Sequence, residues 1–126
     1  MILLQKDFDL FRQILFEIEK IPYGGAYASD IFSGDIEYMT KIAEHLEMLS
    51  DAGFIVLGPC IIGFGYPLFP IERMTNAGHD YLDAVRDQTS WSKTKDKLLT
   101  LGSSASLAIV SSIVEGITTV ALKENL

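Results

Sequence analysis

The side chains best suited to catalysis or metal binding are few in this chain, which has two histidines and one cysteine. They are His45, Cys60 and His79, and their spacing matches neither a zinc site nor a paired nucleophile and base. Cys60 lies between Pro59 and Ile61, which is typical of a buried small hydrophobic residue rather than of an activated thiol. We therefore predict no catalytic residue, no metal site and no cofactor.

Two weaker signals for catalysis have simpler interpretations. His79 and Asp83 lie four residues apart on a predicted helix and are placed to form a hydrogen bond, but such pairs are usually surface or packing contacts. The segment Gly63-Phe64-Gly65 lacks the rest of any phosphate-binding fingerprint, so it predicts a turn.

The remaining histidine, His45, is expected at the edge of the core rather than in a catalytic site. The sequence thus predicts a protein that is not an enzyme.

Nucleic-acid binding is the next chemistry to consider. The helix predicted from Asp35 to Ala52 carries five acidic residues and a single lysine, Lys41. Phosphate contacts supply most of the affinity for DNA and require mainly basic groups. The remaining candidates for such contacts are Lys93, Lys95 and Lys97, although alternating residues of a helix point to more than one face. DNA is therefore a partner that the acidic charge disfavours.

Composition supports the same conclusion. The chain has 126 residues and a net charge of −7, which repels nucleic acid and acidic lipid. Its single cysteine excludes an internal disulfide and fits a reducing compartment, and the N-terminus lacks the features of a secretory signal. The apolar stretch 98–122 contains Glu115, serines, threonines and glycines, which favours an amphipathic helix over a membrane span. We predict a cytoplasmic protein with no membrane partner.

The first elements follow from apolar periodicity. Residues 7–21 repeat apolar side chains with the spacing of a surface helix, with Asp7 as its N-cap and Pro22 as its stop. Residues 23–34 are rich in Gly, Ser, Ala and Asp. This segment can hold only a loop, a short strand or a very short helix, so no clear second helix is predicted.

A helix, a hairpin and a second helix are predicted next. Asp35 caps the long helix, and Gly53 ends it. The runs 54–62 and 68–74 have the composition of strands and form a hairpin, after which Thr75 caps a helix. Ser90 is expected to begin a further helix with Trp91, Leu98 and Leu99. The final amphipathic helix is predicted over residues 104–122.

The hairpin is too apolar for both of its faces to be exposed to water. Its cover is the chain's own C-terminal helix, a symmetric copy of the chain, or another protein. We expect self-association, since an amphipathic C-terminal helix is suited to a dimer interface. The predicted interaction surface comprises Phe64, Tyr66, Leu68, Phe69, Ile109, Ile113, Ile117 and Val120.

Two segments carry a family resemblance. HLEMLSDAGFI (45–55) and RMTNAGHDYLDAVRD (73–87) resemble the winged-helix repressors of the MarR and PadR kind. The helix DFDLFRQILFEIE (7–19), the segment 73–87 and the following helix with Trp91 and lysines are more similar to a family of short uncharacterised bacterial and prophage proteins, classed as a domain of unknown function. This resemblance covers nearly the whole chain. It implies a role in phage or prophage gene control, without an assigned activity.

Together these patterns predict a mostly helical α+β fold. Residues 1–89 are expected to form a winged-helix-like domain consisting of a helix, a long helix, a two-stranded hairpin wing and a helix. Residues 90–126 are expected to form two further helices that serve in packing or dimerisation. The expected function is non-enzymatic, phage-related regulation or assembly through protein contacts. Among these contacts, self-association is the one that we expect most. The alternative is a winged-helix DNA-binding transcriptional regulator.

Overall fold

The computed structural model describes residues 6–101, 106, 107, 109, 110 and 112–114. The fold is α+β and mostly helical, with a small antiparallel sheet, so the predicted fold class is confirmed. The elements in chain order are α1 (Phe8–Ile18), β1 (Ala26–Tyr27), α2 (Ala28–Ile31), α3 (Ile36–Asp51), β2 (Ile55–Leu57), β3 (Pro70–Met74), α4 (Asn76–Val85) and α5 (Gln88–Leu101). Residues 107, 109, 110 and 112–114 are also helical.

The N-caps of the first and third helices are confirmed. Asp7 Oδ1 accepts the backbone N–H of Leu10 at 3.1 Å, and Asp35 Oδ1 accepts that of Tyr38 at 2.8 Å. Each bond satisfies one of the donors that the start of a helix leaves without a partner inside the helix. The first helix ends at Ile18 rather than at the predicted residue 21, because the backbone tightens into i→i+3 turns ahead of the proline.

The segment between the first and third helices is more ordered than the sequence suggests. It contains the two-residue strand β1 and the four-residue helix α2, so two of the three alternatives left open for this segment are both present. The N–H of Ala28 donates to the carbonyl of Phe69 at 3.0 Å, and the N–H of Tyr27 donates to Asp30 Oδ2 at 3.2 Å. A contact with a distant part of the chain thus helps to hold a helix that local composition does not favour.

The sheet has three strands in the order β1-β3-β2, one more than predicted. Ala26 of β1 lies opposite Ile71 of β3, and Ile55 of β2 lies opposite Met74 at the other edge. The predicted hairpin is therefore present, and an isolated bridge between Ile61 and Leu68 extends it beyond the two strands.

An irregularity in the hairpin changes where two side chains point. Leu57 pairs with Ile71 and Val56 pairs with Arg73, so Glu72 is an additional residue in β3. Such a β-bulge interrupts the alternation of side chains between the two faces of a strand. Glu72 and Arg73 are both exposed as a result, while Ile71 and Met74 on either side of them are buried.

The end of α3 and the start of α4 meet around two glycines. Gly53 has a φ of +82°, which confirms the predicted glycine at the C-terminus of α3. Thr75 Oγ1 accepts the N–H of Gly78 at 3.1 Å, confirming its role as a cap, and it also donates to the carbonyl of Gly53. A Cβ at Gly78 would collide with the carbonyl oxygen of Phe54. Close contact between backbones therefore requires glycine here.

The described residues form two compact units, one ending at His79 and the other beginning at Asp80, within α4. In the first unit α1 packs against α3 and β3, and α3 packs against β2. The fully buried side chains of this unit include Phe11, Ile14, Leu15, Ile42, Leu46, Leu49 and Ile71. The predicted domain boundary between residues 89 and 90 stays a prediction.

In the second unit, α5 begins at Gln88 rather than at the predicted Ser90. The carboxylate of Asp87 accepts the N–H of Ser90 at 2.8 Å and thus caps the helix just before its first residue. Trp91 and Leu98, two of the apolar residues predicted on this helix, are buried, whereas the third, Leu99, is 81% exposed. None of the described helices is long and apolar enough to cross a membrane.

Candidate functional site

The histidine of the long helix has a structural role. His45 is fully buried, and its ring lies against that of Phe11 with 4.7 Å between centroids. Its Nδ1 lies 2.8 Å from the carbonyl oxygen of Lys41, and its Nε2 accepts the backbone N–H of Asp7 at 3.0 Å. Since Nε2 is an acceptor, the proton of the neutral ring is on Nδ1. The residue is therefore deeper than the core-edge position that we predicted, and it connects α3 to the start of α1.

The electrostatics of this connection favour a neutral imidazole. Burial lowers the pKa of His45, and so does the Lys41 ammonium, while the bond to the Lys41 carbonyl and the Asp7 and Glu44 carboxylates partly offset this. For Asp7, partial burial acts to raise the pKa, but the N–H of Leu10 and the Lys41 ammonium outweigh it, so the pKa of Asp7 is lowered. A neutral histidine beside an ionised aspartate is thus the stable state near neutral pH.

The two other candidate catalytic groups, Cys60 and His79, are at the surface. Cys60 is exposed, so the prediction of a buried cysteine was wrong. Its position beyond the end of β2 explains the difference, because the flanking apolar residues do not continue the strand into the core. His79 is also exposed, in the first turn of α4. Within the part of the chain that the structure describes, no group of three or more His, Cys, Asp or Glu residues is placed to hold a metal ion.

The hairpin places only part of the predicted interaction surface at the exterior. Ile62 is 87% exposed and Phe64 is 54% exposed, while Tyr66 is half-buried. Leu68 and Phe69 are buried, which corrects the prediction that they contribute to an exposed surface. Their backbones explain this placement, because Leu68 pairs with Ile61 and Phe69 accepts a bond from the start of α2.

The hairpin tip lies beside the N-terminus of α3. Gly63 and Gly65 have φ values of +107° and +82°, in agreement with the predicted turn. A Cβ built on Gly65 would lie 3.1 Å from Cδ1 of Ile36, the first residue of α3, and Ile36 is 59% exposed. We refer to Ile36, Ile62 and Phe64 as the apolar tip. Ile36 was not among the predicted interaction residues, because its spacing in the sequence matches the apolar face of the helix.

The outer face of α3 is acidic in the folded chain. Glu37, Glu47 and Asp51 are exposed, and Glu44 is half-buried. The single lysine of the helix, Lys41, forms an ion pair with Asp7 at 3.1 Å. The charge on this face therefore remains negative, as its composition suggests.

The three predicted DNA-contacting lysines all lie on α5. Lys93 and Lys97 are exposed, while Lys95 is half-buried. Positions 93 and 97 are one turn apart and share a face, which position 95 does not. The structure thus brings two of the three lysines together.

The C-terminal part of the predicted interaction surface is described only in part. Ile109 and Ile113 are half-buried, and their neighbours Val110 and Val114 are buried. Ile117 and Val120 lie outside the described residues. The residues Ile109 and Ile113 thus retain some exposure, as an interaction surface requires.

A groove that was not predicted from the sequence lies in the first unit. It has a volume of about 640 Å³ and is lined by residues 18, 19, 21–24, 72–74 and 79. The sequence signal that could have indicated it is the break in alternation at Glu72 and Arg73, two consecutive charged residues after an apolar run. The bulge that turns both of them outward is a property of the strand pairing.

Comparison with known proteins gives the family of the chain. No curated protein and no solved structure shows a significant match. A family model described as "Hypothetical protein (DUF2513)" matches residues 5–104, which is most of the chain. The chain therefore belongs to the DUF2513 family.

Proposed function

We propose that this protein is a non-enzymatic winged-helix module that self-associates and acts in regulation or assembly through protein contacts, in phage-related gene control in the cytoplasm. The order of α1, α2 and α3 followed by the hairpin and α4 supports the winged-helix assignment. In particular, α2 corresponds in chain order to the middle helix of such a domain. An exposed free thiol at Cys60 is compatible with a reducing compartment.

The observation that carries the proposal is the apolar tip beside an acidic helix. In a winged-helix DNA reader, the third helix and the hairpin both approach the duplex. Here the helix presents Glu37, Glu47 and Asp51, and the hairpin presents Ile62 and Phe64. The helix has one cation, Lys41, which is paired with Asp7, and the apolar tip has none, whereas phosphate binding depends on several cations. Apolar side chains of this size are suited to burial against protein.

A second copy of the chain is the occupant that the tip favours. The chain carries no charged residue from Phe54 to Ile71, so the hairpin offers nothing to select a charged partner. Two identical uncharged surfaces do not repel each other electrostatically. A twofold axis between two copies brings the same patch of each copy into contact. The apolar tips of two copies can then be buried while the acidic faces of α3 remain in water.

Sedimentation equilibrium tests self-association. The wild type is expected to exceed the 14.0 kDa mass of a single chain as its concentration rises. The double variant Ile62→Ser, Phe64→Ser is expected to remain monomeric, because it removes the two side chains that the hairpin contributes to the apolar tip without touching the core. Leu99→Ser is the matched control, since it removes an equally exposed apolar side chain from α5. A wild type that stays monomeric, or a double variant that associates as the wild type does, refutes the proposal.

DNA binding is the alternative function, favoured by the helix order with α2 and by the exposed Lys93 and Lys97. Fluorescence anisotropy on duplex DNA at low salt tests it, with all three α5 lysines changed to glutamate. DNA binding predicts an affinity that falls steeply with salt and is lost in the triple variant. Lys20→Glu is the control, because Lys20 is an exposed lysine in the turn after α1 rather than on α5. If no binding occurs at low salt, the alternative fails.

A further inference from the structure

The groove of the first unit is formed by three backbone features. The end of α1 supplies Ile18, which is buried. The following turn contributes residues 21–24, and its reversal depends on Gly24 and Gly25, with φ values of +106° and +85°. The third side is β3 at the bulge, where residues 72–74 line the groove. The volume of about 640 Å³ lies in the range of small-molecule sites.

The floor of the groove is apolar. Ile18 and Met74 are buried, Ile21 is half-buried, and Pro22 lies at the surface. The ring of Tyr23 is fully exposed at the rim, which leaves its face available for contact with a ligand. This part of the groove matches an aliphatic or aromatic body.

The rim carries charges of both signs at adjacent positions. The bulge directs Glu72 and Arg73 outward together, and both line the groove. Among the described residues, neither of the two takes part in an ion pair. A guanidinium binds a carboxylate well, and a carboxylate binds an ammonium group. A dianion would meet like charge at Glu72 and at Glu19, which also lines the groove, and a dication would meet like charge at Arg73.

We propose that the groove binds a small zwitterion with an apolar body, that is, a ligand of the amino-acid class. Its carboxylate is held by Arg73 and its ammonium group by Glu72. Its side chain lies over Ile18 and Met74, beside the ring of Tyr23. This site is separate from the apolar tip and does not depend on the function proposed above.

A titration monitored by two-dimensional 1H–15N NMR tests the site with three probes. L-phenylalanine carries both charges, 3-phenylpropionate carries only the acid, and 2-phenylethylamine carries only the amine. We expect a Kd of about 1 mM for L-phenylalanine, as is usual for a ligand of this size, and binding about tenfold weaker for each of the others. The amide signals of Gly24, Arg73 and His79 should shift most, because these residues line the groove.

Charge-neutral variants identify the two contacts. Arg73→Gln should weaken the binding of L-phenylalanine and 3-phenylpropionate about tenfold, with no loss for the amine. Glu72→Gln should weaken the binding of L-phenylalanine and 2-phenylethylamine. Lys97→Gln and Glu47→Gln are the controls, since both change an exposed charge outside the groove and should bind like the wild type.

The proposal is overturned by any of three results. One is the absence of a saturable shift at about 20 mM L-phenylalanine, twenty times the expected Kd. Another is a set of shifted signals centred outside the groove. The last is an unchanged affinity in both groove variants. The dispersion of the amide signals shows in the same experiment whether each variant is folded. The outcome for the groove does not depend on whether the protein self-associates.

Discussion

Acid should destabilise this protein through His45. The neutral ring donates from Nδ1 to the carbonyl of Lys41 at 2.8 Å and accepts the N–H of Asp7 on Nε2 at 3.0 Å. A proton added to Nε2 would point at the backbone N–H of Asp7, so two hydrogen-bond donors would face each other and the bond to Asp7 would break. The residue is fully buried, so the charged ring would also lose its hydration. Protonation therefore weakens the connection between α3 and α1.

The direction and the pH window follow from the lowered pKa of His45. Its ordinary value is 6.5, and burial lowers the pKa in the folded chain, with the Lys41 ammonium acting in the same direction. The unfolded chain thus binds the proton more readily, and stability falls as pH decreases from 6.5 towards the lower folded value. One such group changes the free energy of unfolding by at most about 1.4 kcal/mol per pH unit. The stability contributed by Asp7 is lost only below its ordinary pKa of 3.8, in a separate window.

Urea denaturation monitored by far-UV circular dichroism gives the free energy of unfolding from about pH 5 to pH 8. The wild type is compared with a variant that has no titrating group at position 45. His45→Gln removes the titration and is expected to cost about 1–3 kcal/mol at neutral pH, because a buried donor loses its partner. The difference in stability between wild type and variant should shrink as pH falls below 6.5. His79 is the only other histidine and is present in both proteins, so its contribution cancels. A difference that stays constant with pH would refute the reasoning.

Further predictions concern backbone contact, capping and exposure. Gly78→Ala should lower the free energy of unfolding by about 1–3 kcal/mol in urea denaturation, because the new Cβ meets the Phe54 carbonyl; a neutral effect would contradict this contact. Asp35→Ala should cost about 1 kcal/mol in the same assay, since the N–H of Tyr38 loses its cap, whereas Asp35→Asn should retain most of the stability. Cys60 should react with Ellman's reagent in the native protein as fast as in urea, and protection until unfolding would show that it is buried.

Features determined by a few neighbouring residues could be predicted from the sequence. The caps Asp7, Asp35 and Thr75 each accept an N–H from three residues further along the chain. Gly53 ends α3 with the positive φ that glycine readily adopts. The boundaries of the long helix followed because these interactions lie within one turn of the chain.

Features determined by distant pairing could not be predicted in the same way. The strand β1 has two residues, too few to show a period, and it exists through pairing with β3. The bond from Ala28 to Phe69 likewise helps to hold α2. The bulge at Glu72 depends on the register between two strands, which a single strand's sequence does not determine. The two adjacent charges at 72 and 73 hint at an irregularity, but the groove that we propose as a binding site is defined only by this register.

The surroundings of Lys41 show why a count of charges understates the acidity of α3. By composition, the lysine offsets one of the acids on the helix. In the fold, its ammonium lies 3.1 Å from Asp7 of another element, which engages the one lysine of the helix. The exposed acids Glu37, Glu47 and Asp51 then dominate the outer face beside an uncharged hairpin. The phosphates of a DNA duplex approaching this face would be repelled by the acids of α3 and would find no cation on the apolar tip. An apolar protein surface could instead be buried against the tip while the acids of α3 stay hydrated. On this balance of charges, we favour a protein partner over DNA.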